Sequence, residues 1–482
     1  MKRKKTGTSG IPEIPLQRTS QAKAAEAGIA SVREGRLKLY DERADNVRRF
    51  LDLIKERITR PVAASMVGCV HCGLCARSCH YALARPDDPT MTPVYKADQI
   101  RRVFKKHLDW TGRIVPWWVH ARVPAGDEDL VRLKNIVFGT CSMCRRCSFN
   151  CPMGVDTAVL MRWTRGILTE LGIVPEGVFT VNRDQWETGN QMGVSDRDYL
   201  ETLDWMADEL RTEPGMSGAV VPVDRPDCDF LYVINPREIK FDPRSIAHAA
   251  KVFHAAGESW TMTSLGWDMT SFGLFSGDDR LGARIAGAVY EAADRLRARR
   301  IVISECGHGF RATRWEGYDW AESNQRLPME SVVQTLDRWI GDGRIRVDPA
   351  RNPDPVTFHD SCNVARSGGI VREPRRVLRA VCADFREMVP NGAENYCCTG
   401  GGGLLSMEEY RPLRLEVARI KADQLRATGA KLACTMCHNC VDGLSDVIRH
   451  YKLPIKVVQV LELVANALVV NPGDSGNPQP HT

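Results

Sequence analysis

Two short cysteine runs constrain this chain more than any other feature. Cys69-Val-His-Cys72-Gly-Leu-Cys75-Ala-Arg-Ser-Cys79 and Cys141-Ser-Met-Cys144-Arg-Arg-Cys147-Ser-Phe-Asn-Cys151-Pro152 share the spacing C-x2-C-x2-C-x3-C. Three thiolates at that spacing wrap one face of an iron–sulfur cubane. The fourth, carried onward by a short turn, reaches a second cluster. The expected ligand sets are therefore crossed. Cys69, Cys72, Cys75 and Cys151 hold one [4Fe–4S] cluster, and Cys141, Cys144, Cys147 and Cys79 hold the other. Tetrahedral zinc needs only four thiolates and not two copies of a four-cysteine run, so zinc is set aside. His80 stands where Pro is expected after the first run, which removes no ligand.

The chain has 17 cysteines in 482 residues. Disulfides do not persist in a reducing compartment, so metal ligation is the default reading of so many thiols. No apolar stretch approaches the roughly 20 residues that span a bilayer. The basic start, Met1-Lys-Arg-Lys-Lys, runs into Thr-Gly-Thr-Ser-Gly-Ile-Pro and not into an apolar core, so it is no secretory signal. The expectation is a soluble, cytoplasmic protein that meets a membrane only through a partner. Sixty-six basic residues against 60 acidic ones leave a net charge of +6, too diffuse to suggest nucleic acid. With 43% apolar and 26% charged residues the chain is globular.

Six segments are expected: a tail and helix over 1–60, a two-cluster ferredoxin-type domain over 61–165, a helical linker over 166–224, two α/β lobes over 225–345 and 346–470, and a disordered tail over 471–482. The first helix, Arg43–Ile58, carries Val47, Phe50, Leu51, Ile54 and Ile58 at helical spacing. An insert over 81–130 separates the cysteine runs. It is basic and holds Trp110, Trp117 and Trp118, read as packing residues with a docking surface as the alternative. From about 225 strands and helices alternate. Strands are expected at Phe230–Ile234, Arg300–Ser304, Val356–His359, Lys431–Thr435 and Ile455–Val460. Helices are expected at Pro243–Gly257, Leu281–Arg299, Pro374–Met388, Glu408–Thr428 and Leu461–Val469, with Gly429 as a C-cap. "RRIVISECGHG" parallels "AKLACTMCHNC", which implies an internal duplication. The fold class is multidomain, α+β and α/β: a helical domain for two [4Fe–4S] clusters, then two duplicated lobes with mainly parallel sheets.

The second lobe holds Cys362, Cys397-Cys398, Cys434 and Cys437, spaced C-x34-CC-x35-C-x2-C. Gly400 to Gly403 permit a sharp turn after the paired cysteines and leave backbone open to a ligand. No Lys-Ser/Thr follows, so this is not a P-loop. The first lobe has lost the matching cysteines except Cys306, in Ser304-Glu-Cys306-Gly-His308-Gly, where it is matched to the second cysteine of the C-x2-C. Cys306 and His308 are expected to face the site across the cleft between lobes. Cys228 and Cys382 read as small apolar residues. Cys440, three residues past Cys437, leaves a site role open.

This pattern resembles the CCG domain of heterodisulfide reductases, although Thr399 interrupts the Cys-Cys-Gly triplet. The resemblance implies that Cys362, Cys397, Cys398, Cys434 and Cys437 hold a non-cubane [4Fe–4S] cluster at which a disulfide is cleaved or formed. The stretches "VINPREIKFDP", "SECGHGFRATRW", "PVTFHDSCNVARSGGIVREPR" and "NYCCTGGGGLLSMEEYRPLR" extend the likeness to the DsrK family of heterodisulfide-reductase-like iron–sulfur subunits. Ser361 stands in "HDSC" where that family has Pro. The resemblance implies a subunit held at the inner face of the cell membrane by a DsrM-like haem b partner that handles quinone. It implies a small cysteine-bearing protein, DsrC-like, as substrate, presenting a disulfide or trisulfide. His308, His359 and His438 are candidate proton donors. The alternative is an electron-transfer subunit of a flavin-linked dehydrogenase of the glycolate oxidase or anaerobic glycerol-phosphate dehydrogenase type.

Overall fold

The computed structural model describes residues 45–321 and 327–469. The expected tail at the start of 1–60 and the expected tail over 471–482 lie outside the described residues.

The first predicted helix is α1 (Asn46–Arg57), capped by the Asp45 carboxylate and burying Phe50, Leu53 and Ile54. Three further helices build the cluster domain: α2 (Arg60–Val67), α3 (Pro93–Leu108) and α4 (Trp110–Ile114). A fifth, α5 (Thr157–Glu170), starts where the Asp156 carboxylate accepts from the N–H groups of Ala158 and Val159. Helices α1, α2, α3 and α5 share one apolar core with Phe50, Ile100, Phe138, Leu160 and Ile167. The boundary expected at 165 does not exist as a break, because α5 runs through buried Arg165, Gly166 and Ile167 to Glu170. Nor is 166–224 a linker. Its helix α6 (Glu176–Thr188) packs between the domains, and α7 (Asp196–Arg211) sinks Tyr199, Leu203, Met206 and Leu210 into the core of the first lobe.

Each lobe is a four-stranded parallel sheet. The first holds β1 (Phe230–Val233), β2 (Trp260–Thr261), β3 (Ile301–Ile303) and β4 (Met329–Ser331) in the order β2-β1-β3-β4. The second holds β5 (Val356–His359), β6 (Phe385–Arg386), β7 (Leu432–Thr435) and β8 (Lys456–Gln459) in the order β6-β5-β7-β8. The shared order is the structural form of the duplication. The β1, β3 and β5 residues are all buried, as parallel strands covered by helices on both faces require. Three strands escaped the sequence reading: β2, β4 and β6 are too short to show a period. The helix expected at Pro374–Met388 ends early, at Val381, since Phe385 and Arg386 pair with Val356 and Thr357 as β6. The long helix expected at Glu408–Thr428 is two, Arg411–Val417 and Arg419–Thr428. Pro412 opens the first, and Gly429 closes the second at φ 61°.

In both sheets the chain leaves the inner strands in opposite directions, and such a switch point opens a crevice at the strand carboxyl ends. Asn235 and Cys306 follow β1 and β3. Cys362 and Cys437 follow β5 and β7. The two crevices face each other, with His438 N–H donating to the Glu305 carbonyl across the lobes at 3.0 Å.

Candidate iron–sulfur site and redox path

The ferredoxin cysteines gather as two groups. Cys69, Cys72, Cys75 and Cys151 line one hollow, with Val94 and Arg101 of α3 and with Cys147 also on its wall. Cys79, Cys141, Cys144 and Cys147 line the other, with His80. Each hollow thus takes its fourth cysteine from the other run. All eight thiols are free, and Cys72 is exposed. Short turns between cysteines aim the thiols inward, and Met143 N–H already donates to Cys141 Sγ at 3.4 Å. His80 is buried, and no hydrogen bond engages its Nε2. Cys151→Ser is expected to remove the electron-spin signal of the cluster that shares Cys69, Cys72 and Cys75, leaving the other. Loss of the sequence-adjacent cluster, with the distant one retained, would refute the crossing.

The second group abuts the C-terminal cysteines directly. Cys144 and Cys397 lie within hydrogen-bonding reach of each other. Cys397 Sγ also donates to Ser142 Oγ at 3.3 Å. Gly402 sits so close to Ser142 that a Cβ would come within 2.8 Å of its carbonyl carbon. The turn that allows this approach has positive φ at Thr399 (66°), Gly402 (67°) and Gly403 (80°). Glycine suits that conformation, and Thr399 adopts it in the place where the resemblance expects Gly.

Two arginines fasten the junction. Arg165 is buried and donates to the carbonyls of Val137 (2.8 Å), Cys141 (2.7 Å), Phe275 (3.0 Å) and Gly402 (2.7 Å). Burial pulls its guanidinium down to about 10. Arg366 donates to the carbonyls of Cys144 (2.5 Å), Ala393 (2.6 Å) and Asn395 (2.6 Å). Behind the paired cysteines lies Lys421, whose Nζ donates to Asn395 Oδ1 at 2.7 Å. Burial brings this amine down to about 7, against the pull of the nearby Cys398 and Cys397 thiols.

The cysteine group itself departs from the spacing read in the sequence. Cys398 and Cys440 hydrogen-bond to each other, as do Cys437 and Cys440. The ligating atoms of His359, Cys398 and Cys440 all lie within 4.8 Å of one another. Hydrogen bonds from Cys397 and Cys440 hold the Cys398 thiol well below its ordinary value, and one from Cys440 brings Cys437 to about 5. Burial pushes Cys362 up, and the neighbouring Cys397 and Cys144 push it the same way.

Cys434 stands apart. Strand residues alternate faces. Ala433 joins the apolar cluster that contains Cys397, Cys398, Cys437 and Cys440. Cys434 joins the opposite one, with Phe358 and Val460. Of the overlapping C-x2-C cysteines, Cys437 and Cys440 are the ones packed with Cys397 and Cys398. Cys306 matches Cys437, as the parallel between the two stretches implies, and each is the N-cap of its helix.

Cys306 does face the site. Its charge couples to that of Cys437, and its Sγ accepts from Asn235 Nδ2 at 3.4 Å and from Gly309 N–H at 3.3 Å. His308 does not. Its Nε2 is 2.5 Å from the Ser271 carbonyl oxygen, its ring stacks on Phe275, and burial drives it down to about 4. His438 lies between the lobes with Nε2 3.0 Å from Glu238 Oε1, which also accepts from Ser304 Oγ at 2.6 Å. Burial alone would raise the Glu238 carboxyl, but His438 holds it below its usual range. No sequence spacing announced Arg165, Arg366, Lys421 or Glu238. Each acts through contacts made far along the chain.

The donor set fits iron–sulfur groups. Thirteen thiols fall into three groups, none in a disulfide, with backbone N–H groups already aimed at sulfur. Residues 65–155 match the family described as "4Fe-4S dicluster domain", and residues 356–444 match the family "Cysteine-rich domain", CCG. The chain is 28% identical over 470 residues to the Hdr-like menaquinol oxidoreductase iron-sulfur subunit of Archaeoglobus profundus, covering 87% of this chain and 83% of that one. It is 29% identical over 475 residues to subunit 2 of that name in Archaeoglobus fulgidus, with the same coverage. A subunit of the dihydromethanophenazine:CoB–CoM heterodisulfide reductase of Methanosarcina mazei is 26% identical over 411 residues, 83% of this chain and 93% of that one. The chain thus joins a 4Fe-4S dicluster domain to a cysteine-rich domain and is similar over most of its length to heterodisulfide-reductase-like iron–sulfur subunits.

Proposed function

We propose that this chain carries electrons between a membrane partner that handles quinone, of the DsrM-like haem b kind, and a disulfide or trisulfide on a small DsrC-like protein. The relatives named for menaquinol oxidation support a quinone-linked partner. The relative named for a heterodisulfide supports sulfur chemistry at the C-terminal cysteines. One observation carries the reading: the Cys144–Cys397 contact, which joins the ferredoxin domain to the CCG-type site with no intervening residue.

In this reading Cys69, Cys72, Cys75 and Cys151, with exposed Cys72, form the outer station. Cys79, Cys141, Cys144 and Cys147 form the inner one. Cys362, Cys397, Cys398, Cys437 and Cys440 hold a third, non-cubane cluster. When bound, these groups would supply one-electron redox chemistry. Cleavage of a disulfide takes up two electrons and two protons and gives two thiols, and the reverse reaction releases them. The protein has to position the sulfurs and supply the protons. The facing crevices of the two lobes exclude water, and Cys306 and Asn235 line the wall opposite Cys437. His438 Nε2, beside Glu238, is placed to hold a proton at the same interface. The emptied first lobe, with one complete cysteine site in the second, favours this reading over a flavin-linked conduit.

The test is Cys398→Ser. It is expected to abolish reduction or formation of the partner's disulfide, by at least about a hundredfold, while both ferredoxin clusters stay reducible by dithionite. Persisting disulfide turnover would show that the C-terminal cysteines do not perform the chemistry.

A further inference from the structure

Tryptophans expected to pack inside the insert instead lie on the surface. Trp110, Trp117 and Trp118 are 71%, 74% and 76% exposed, and Ile114 between them is 65% exposed. They are not on a loose tail. The Asp109 carboxylate caps α4 through Thr111 N–H at 2.9 Å, and Arg113 Nε donates to the His107 carbonyl at 3.2 Å. Gly112 lies flush on α3, where a side chain would collide with the Lys105 carbonyl. Ala121 N–H then closes the turn on the Pro116 carbonyl at 2.9 Å. The fold fixes this segment and directs its aromatic side chains outward.

The surroundings are cationic. From Arg102 to Gly126 there are five Arg or Lys and a single acidic residue, Asp109. Arg113 and Arg122 are exposed beside the tryptophans. An indole has an apolar body and a polar N–H, which suits the boundary between lipid headgroups and acyl chains. Arg and Lys nearby add attraction to anionic headgroups. A projecting ridge of single aromatics with basic flanks matches a lipid surface better than the flat, charge-poor centre of a protein interface. No helix among the described residues is long and apolar enough to cross a membrane.

We propose that the Trp110–Trp118 turn is a membrane-docking surface that inserts its tryptophans into the interface of an anionic phospholipid bilayer. The placement serves electron transfer. α3 has 16 residues. Its Val94 and Arg101 line the Cys69–Cys75 hollow, while its far end supports the turn. At 1.5 Å per residue, α3 places these two lining residues roughly 10–20 Å from the end that carries the turn.

The experiment uses the full chain, purified anaerobically, with vesicles of phosphatidylcholine alone and of phosphatidylcholine mixed with phosphatidylglycerol. Sedimentation with the mixed vesicles, weakened by salt, is expected, together with a blue shift of tryptophan emission and quenching by brominated lipid. Trp117→Ser/Trp118→Ser should weaken binding about tenfold or more, since each indole loses its interfacial transfer. Its iron content and disulfide turnover should not change, which separates this surface from the reaction proposed above. Absence of binding to the mixed vesicles overturns the proposal. So does tryptophan emission in the free protein that is already shielded from acrylamide, because something else then covers the turn. A double variant that keeps vesicle binding but loses co-purifying subunits also overturns it, and assigns the surface to a protein partner. Quenching of the unaltered protein by brominated lipid decides the matter should the double variant fold poorly.

Discussion

Cys440→Ser will remove the C-terminal cluster, and Cys434→Ser will leave it in place. Anaerobic protein with three four-iron clusters contains about twelve irons. The Cys440 variant should fall to about eight and lose disulfide turnover, because its thiol touches both Cys398 and Cys437. The Cys434 variant should keep all its iron. Its side chain lies in the apolar core on the far side of β7, where a serine hydroxyl is buried without a ready partner. The variant should therefore lose about 1–3 kcal/mol of stability and no cofactor. The opposite pair of results, iron lost with Cys434 and kept with Cys440, would return the ligand set to the spacing read in the sequence.

Arg165→Lys will weaken the whole junction between the ferredoxin domain and the glycine turn. The guanidinium meets five carbonyls from three parts of the chain with a planar fork of donors. An ammonium has three donors in another geometry. At least one buried carbonyl is then orphaned, and the turn after Cys398 loses its anchor at Gly402. A loss of roughly 2–5 kcal/mol is expected, read from denaturant unfolding with cluster absorbance as the probe. Electron transfer from the prereduced ferredoxin clusters to the C-terminal site should slow in parallel, since Arg165 holds Cys141 and Gly402 in register. A loss below about 1 kcal/mol would mean that water replaces the missing donors.

The sequence revealed most where chemistry demands fixed spacing. The C-x2-C-x2-C-x3-C runs could be read outright because a cubane dictates their geometry, and the structure gathers the eight thiols as two groups. The strands Phe230–Val233 and Val356–His359 were legible because buried parallel strands are apolar runs. The C-terminal site was legible in kind but displaced in detail. Two overlapping C-x2-C pairs, Cys434–Cys437 and Cys437–Cys440, are equally good as strings. Only the pleat of β7, which turns Cys434 away from Ala433 and Cys437, separates them. Arg165 and Arg366 were invisible because their partners are backbone carbonyls up to 237 residues distant. The tryptophans were misjudged because composition says that indoles bury, whereas Gly112 lays α4 flush on α3 and leaves them outside.

The crossed gathering of cysteines has a consequence for biosynthesis. Cys69, Cys72 and Cys75 leave the ribosome well before Cys151, and Cys79 waits for Cys141, Cys144 and Cys147. Neither set can close until the second run has emerged, and then both close together. With those ligand sets, metal loading would be a late event whose binding free energy is also folding free energy. It ties the two ends of residues 81–130 at fixed points. The entropy lost in closing such a loop grows only with the logarithm of its length, about 0.6 kcal/mol per doubling. A chain locked in this way tolerates growth between its two cysteine runs, and a new aromatic surface could arise there without disturbing the ligands on either side.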